Sequence, residues 1–279
     1  MLLFIDKLRV LDAFVTLMRH KEPFIRQRCC IVIKILSGQP LGKVTIMMNV
    51  NLVEMMLKGL SDEDYRVRFH CAASALALAD QRVGNEAMAE CGFLERVLQR
   101  VYEEQDSRII PLLLRTISRL MATNDSVRKK ITQRDLQLFL SMNQKTEVTK
   151  ILAETFDGDW LASRGILEYL KCGMRSHSYE VVLNCVMCML RAATVLESKI
   201  FLAESNTMNL LVTFALAPSM KGRALKEFAL QLLCILVETT YGRKYIMGQK
   251  ILFDELSKNS EPSCQSYIKK FKDILRAQY

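Results

Sequence analysis

The sequence predicts an all-α protein, an α-solenoid made by stacking one helical unit many times. Three observations carry that expectation. Segments of the chain superimpose at a constant offset of 42 residues. Within each segment apolar residues recur at helical spacing. The 279 residues are 50% hydrophobic and hold only 5 prolines and 11 glycines, which is ample material for a folded structure with few helix breakers. Length alone would imply one large domain or two ordinary ones, but the periodicity replaces that count with a single array over 1–279.

The long helix of the unit is the clearest element. PFIRQRCCIVIKILS, EDYRVRFHCAASALALA and DSRIIPLLLRTISRLMA align so that Ile25, Val67 and Ile109 are 42 apart, as are Leu36, Leu78 and Leu120. Ile25, Cys29, Val32 and Leu36 share one stripe, so each segment reads as an amphipathic helix of about four turns. A shorter apolar segment precedes each: VLDAFVTLMR, NLVEMMLKGL and FLERVLQRVY, whose Leu11, Leu52 and Leu94 are spaced 41 and 42. Helix pairs joined by polar turns result. In LSDEDYRVR, Ser61, Asp62 and Asp64 offer side-chain oxygens to the unpaired N–H groups of the next helix start. HKEP, EEQDS, APSMKG and KNSEPS have the same composition.

Leu136, Leu167, Leu210 and Leu252 open the later short helices, at spacings of 42, 31, 43 and 42 from Leu94 onward. One unit, around 136–166, is therefore about ten residues short. Leu94 to Leu210, Ile109 to Leu225 and Leu120 to Leu236 each span 116 residues, so two different helices report the same deletion. A third, very short apolar segment precedes most pairs (VGNEAMAECG, SVRKKITQRD, ESKIFLAESN, YGRKYIMGQK), and a glycine or polar break then redirects the chain, as at Cys91-Gly92-Phe93. The expected units are 1–39, 40–81, 82–123, a shortened 124–156, 157–196, 197–240 and a capping 241–279.

MAECGFLERVLQRV with the turn and long helix after it, and LVEMMLKGLSDEDYRVRFHCAASALALA, resemble armadillo repeats: a short first helix, a sharp bend, then two antiparallel helices. The resemblance covers essentially the whole chain as about seven units. HEAT repeats are the nearest alternative, since they also stack helix pairs at a similar period; the interposed short helix favours armadillo. The resemblance implies a right-handed superhelix whose long helices line a concave groove that receives extended peptides or other partners. ALQLLCILVETTYGRKYIM and the helix pair after it are similar to the end of armadillo proteins of the ciliary radial spoke, which implies an axonemal subclass.

A unit this small cannot bury its own apolar face, so neighbours must stabilise one another. Ser263 to Ala277 places Ile268, Phe271 and Leu275 on one side and Lys269, Lys270, Lys272 and Arg276 elsewhere, the polar outer face expected of a cap. Met1 runs almost at once into the second helix of a unit. That leaves open a fragment boundary, a shortened chain or a self-association surface.

Chemistry finds little foothold. The three histidines, His20, His70 and His177, lack a partner pattern and read as surface or structural. Cys185 and Cys188 form a CxxC inside an apolar helical run with no second pair of ligands, so packing is the reading and no metal is expected. Cys29, Cys71 and Ala229 fall at equivalent positions, where cysteine serves as a small hydrophobe. Neither GxGxxG nor GxxxxGK[ST] occurs, and no cofactor is expected. Nine cysteines, an odd number in helical context, argue for reduced thiols and a cytoplasmic compartment. Asp6, Lys7 and Arg9 fall within the opening apolar stretch and no uncharged run reaches 18 residues, so neither secretion nor a membrane span is expected.

The net charge of +9, from 39 basic and 30 acidic residues, favours acidic partners. Nucleic acid or anionic lipid is the alternative, but the basic residues are dispersed and lack interleaved aromatics. In the nuclear-import adaptors of the armadillo family, groove Trp and Asn residues four apart clamp basic peptides. The matching positions here are Ile31 and Ile35, Ala73 and Ala77, Arg115 and Arg119, and Met187 and Arg191. Trp and Asn are absent from all of them, and cations would repel a basic peptide. The resemblance with this departure implies a non-catalytic scaffold whose partner is an acidic or acidic-amphipathic segment. Arg115, Arg119 and Arg191 are expected to contact it, with Arg68 and Lys226 extending a basic rim. Trp160, after Asp157-Gly158-Asp159, is expected to be a buried anchor between units, the alternative being an exposed hot spot.

Overall fold

The computed structural model describes residues 2–80, 82–204, 206–217, 222–248, 265–270 and 273. It is all-helical over the described residues, and two compact units, 1–147 and 148–279, are described in turn. The division falls in the stretch where the sequence spacing shortens.

In the first unit, α1 (Leu2–Leu17) and α2 (Pro23–Ser37) form a pair, followed by two triplets. These are α3 (Pro40–Met47), α4 (Val50–Gly59) and α5 (Tyr65–Ala79), then α6 (Arg82–Glu90), α7 (Phe93–Glu103) and α8 (Ile110–Thr123). The short α9 (Asp125–Arg128) and α10 (Gln133–Ser141) lead to α11 (Lys145–Thr155), in which the division lies. The second unit has α12 (Gly158–Leu161), α13 (Arg164–Gly173) and α14 (Tyr179–Ala192), then α15 (Leu196–Glu204), α16 (Thr207–Leu216) and α17 (Arg223–Leu236), then α18 (Thr240–Met247). Long helices pack on long helices: α5 lies between α2 and α8, and α14 packs on α17.

Local chemistry explains the boundaries. Pro23 and Pro40 occupy first turns, where a missing N–H costs nothing. Asp64 caps α5 by accepting the Arg66 N–H at 2.7 Å, whereas Asp62 accepts the Asp64 N–H at 2.9 Å and shapes the turn itself. Thr132 and Asp135 form a reciprocal capping box on α10. Gly92 redirects the chain between α6 and α7 with φ 72°, a left-handed conformation that glycine adopts without strain.

Two packing rules recur. Gly42, Gly84 and Gly242 each follow by six residues the last leucine of a long helix, Leu36, Leu78 and Leu236. A Cβ at these glycines would lie 2.1, 2.4 and 2.1 Å from that leucine's carbonyl oxygen, so the short helix can fold back against the long one only through glycine. Gly59 and Gly173 stand twelve residues before Cys71 and Cys185 and bring the second helix against those thiols: a Cβ would lie 2.5 and 2.4 Å from the sulfur. Cysteine thus fills space as a small hydrophobe, and Cys29, Cys71, Ala229, Cys185 and Cys188 are all buried. Burial pushes the Cys188 thiol well up, the direction opposite to a metal-binding thiolate.

At the C-terminal end, residues 265–270 are helical, with Ile268 buried and Lys269 and Lys270 exposed. Leu252, Phe271, Lys272, Leu275 and Arg276 lie outside the described residues. No single described helix is long and apolar enough to cross a membrane.

Candidate functional site

Positions four apart on a long helix share a face. On α2, α5 and α8 the intervening Ile33, Ala75 and Ile117 are buried, so Ile31/Ile35, Ala73/Ala77 and Arg115/Arg119 are left on the accessible side. Ile35 is 62% exposed, the two alanines are half-buried, and both arginines are exposed. This face of the first unit therefore changes from apolar on α2, through small on α5, to cationic on α8. In the second unit Met187 is half-buried and Arg191 exposed.

The arginines are held in place. Arg115 Nη2 lies 2.9 Å from Glu147 Oε1, and Arg119 Nε lies 3.0 Å from Asp80 Oδ1 at the end of α5. The carbonyl of Arg119 accepts a hydrogen bond from the buried Asn85 Nδ2 at 2.5 Å, which fixes its backbone. A guanidinium has five N–H donors, so one carboxylate leaves several free to meet a second anion. Arg191 Nη1 donates to the Phe156 carbonyl at 3.2 Å, and the Phe156 ring packs at 5.5 Å on Trp160. Trp160 is half-buried: it anchors on Phe156 while keeping part of its ring in solvent, between the two readings of the sequence.

Two of the five expected contact residues sit elsewhere. Lys226 is 6% exposed, so it lies in the packing of α17 instead of on a rim. Arg68 is committed to structure. Its Nε and Nη2 donate to Glu104 at 2.9 and 3.2 Å, and its Nη1 donates to the carbonyls of Asp62 and Glu63, both at 2.9 Å. Arg26 makes the same clamp one unit earlier, on Asp62 at 2.7 and 2.8 Å and on the carbonyls of His20 and Lys21. The sequence reading missed this device, although its signal was present: Arg26 and Arg68 are 42 apart, and so are Asp62 and Glu104.

Burial pushes the Glu104 carboxyl up, but hydrogen bonds from Arg68, the Asp106 backbone and Arg100 more than offset it and hold the group below the usual carboxylate range. The neighbouring Asp106 is drawn down to about 2 by Arg108, through its side chain and backbone N–H.

Among the described residues no group of three or more His, Cys, Asp or Glu is placed to hold a metal ion. His20 accepts the Glu22 N–H at 3.1 Å through Nδ1, His177 is exposed, and burial with the Lys34 charge lowers the pKa of His70. A cavity of about 480 Å³ between α4 and α7 is lined by Glu54, Lys58, Cys91, Glu95 and Arg96, with no residue from the long helices.

No protein-family model and no curated protein matches the chain. Solved structures do. A designed armadillo repeat protein matches with TM-score 0.68 at 17% identity, over 81% of this chain and 99% of that one. An engineered protein from the Northeast Structural Genomics Consortium matches with TM-score 0.77 at 15% identity, over 95% of this chain and 68% of the other. A structure described as a phosphorylation switch controlling the interaction between cadherin and beta-catenin matches with TM-score 0.77 at 14% identity. It covers 96% of this chain, which spans about half (52%) of that one. The fold is that of armadillo repeats.

Proposed function

We propose that the protein is a non-catalytic binding scaffold, and that the accessible face of its long helices takes an acidic or acidic-amphipathic protein segment. One observation carries this reading: the ladder positions pass from exposed Ile35 to exposed, pre-oriented Arg115 and Arg119 on a single face. Apolar side chains of a partner would meet the isoleucines, and carboxylates would meet the guanidiniums. Arg191 beside Trp160 offers the same pair of chemistries in the second unit, and Arg and Trp are the residue types that dominate interface energies. The beta-catenin complex among the matching structures supports a protein as partner. A reducing, cytoplasmic setting belongs to the same reading, supported by thiols used as packing; the ciliary axoneme is the compartment in which the radial-spoke resemblance directs the first localisation experiment.

The test is affinity capture with mass spectrometry, comparing wild type with R115E/R119E/R191E. Because Arg115 and Arg119 pair with Glu147 and Asp80 and Arg191 holds the Phe156 carbonyl, circular dichroism and a thermal melt first establish that the variant is folded, and R115A/R119A/R191A, which sets no carboxylate against another, is captured beside it. Loss of a salt-sensitive protein partner rich in Asp and Glu is the expected result, and an unchanged partner set would end the proposal. Strong, steeply salt-dependent binding of single-stranded DNA or anionic vesicles would favour the alternative that the +9 net charge allows.

A further inference from the structure

The two ladder arginines of the first unit are held by carboxylates in different surroundings. The Glu147 side chain is 12% exposed, so a partner that drew Arg115 away would strand a largely buried charge. Asp80 is 46% exposed and Arg119 48%, so each can turn to water when the pair opens, and an ion pair in such surroundings holds its members weakly.

The helices do not depend on that exposed pair. Asn85 of α6 is fully buried, and its Nδ2 donates to two carbonyls, that of Arg119 on α8 at 2.5 Å and that of Ala79 at the end of α5 at 3.4 Å. One buried side chain thus ties the backbone of Arg119 to the residue before Asp80, and the charges beside it can part while the two helix ends stay together. Asp80 also stands against a local rule. It is the C-cap of α5, where the carbonyls of the last turn make a negative charge unfavourable. At the same place α2, α8, α14 and α17 have Gly38, Asn124, Ala193 and Val237. A carboxylate at that end works against its own helix and recovers little from an exposed partner, and residues that break a local rule without a structural return mark functional positions.

We infer that Asp80 is an internal competitor that governs access to Arg119. In the free protein it occupies the guanidinium, and a partner carboxylate takes Arg119 by displacing it. Arg115 stays with Glu147 and contributes its charge and its remaining donors. The inference rests on the reading of this face as the seat of an acidic segment, and it adds a selection rule. A segment with one acid exchanges one carboxylate for another at Arg119 and gains little, whereas a segment with several acids adds attraction to Arg115 and prevails over Asp80.

The probe is a short fluorescein-labelled peptide of alternating leucine and glutamate, compared with the same peptide in which all glutamates but one are glutamine. Fluorescence anisotropy should show saturable binding of the first and much weaker binding of the second. D80N should bind the glutamate peptide about twofold to fivefold more tightly than wild type, with no such gain in D80N/R119A over R119A. R119A should weaken binding more than R115A does. Circular dichroism and urea unfolding establish that each variant is folded, and D80N should unfold at or above the wild-type midpoint, since it removes a charge from a helix C-terminus. Wild-type affinity in D80N, the same gain without Arg119, or a loss in R115A as large as in R119A would overturn the inference while leaving the ladder reading in place, provided R115E/R119E abolishes binding. No saturable binding, or binding that R115E/R119E leaves intact, would remove both.

Discussion

Replacing Arg68 by alanine removes four hydrogen bonds, two to the Glu104 carboxylate and two to the carbonyls of the turn before α5. The Glu104 side chain is 1% exposed, so its charge cannot turn to water when the guanidinium leaves. Breaking a buried ion pair from one side typically costs about 3–5 kcal/mol, because the other charge is stranded. Here Glu104 keeps Arg100 at 2.9 Å and the N–H groups of Gln105 and Asp106, both at 3.1 Å, so the remaining carboxylate is still well solvated by protein. The expected loss for R68A therefore falls at or just below the bottom of that range, about 2–3 kcal/mol. Urea unfolding followed by far-UV circular dichroism reads it as a lower midpoint at unchanged slope. The cycle with E104A should show coupling above about 1 kcal/mol. K150A is the control, since Lys150 meets Glu154 only at 3.9 Å with both side chains well exposed, and its midpoint should lie close to wild type. If R68A stays within about 0.5 kcal/mol of wild type, or adds to E104A without coupling, the clamp is not what ties α5 to the turn ahead of α8.

The carboxylates beside this clamp also set a pH dependence. Glu104 is held below its ordinary range and Asp106 at about 2, so their contribution is complete above the unfolded value of about 4.3 and is lost as pH falls through that window. Wild-type melting temperature should drop as pH goes from about 5 to 2, and R68A should flatten part of that drop. Gly42→Ala forces a Cβ against the Leu36 carbonyl and should cost about 1–3 kcal/mol in urea unfolding, whereas Gly165→Ala meets nothing within 4 Å and should leave the midpoint unchanged or slightly raised. Thiol labelling of the native protein should modify exposed Cys91 and Cys172 quickly and spare Cys71, Cys185 and Cys188 until unfolding.

The sequence reading reached the helices and their order because both rest on local rules: the 42-residue offset marks α2, α5 and α8, and Asp64 is at once a legible and an actual cap. That Arg115 and Arg119 are neighbours on one helix face was legible for the same reason, whereas the ladder itself came from the armadillo resemblance. What escaped it depends on which neighbour a side chain meets. Arg68 and Arg115 are both arginines on long helices, yet one reaches a buried carboxylate 36 residues onward and the other stands in solvent beside Glu147. Lys226 looks like rim material in sequence and is buried on α17. The folding-back glycines Gly42, Gly84 and Gly242 carry a periodic signal, but single glycines are weak without knowing that a carbonyl lies within contact distance.

The most direct test of the scaffold reading is a charge exchange between the protein and the partner captured with it. R115E/R119E should abolish binding of the partner's acidic segment, and replacing that segment's Asp and Glu by Lys should restore binding to the variant while destroying it for wild type, as isothermal titration calorimetry would measure. Full-strength binding of the lysine-substituted segment to the wild-type protein, or no rescue in the exchanged pair, would contradict the assignment of the partner to this face.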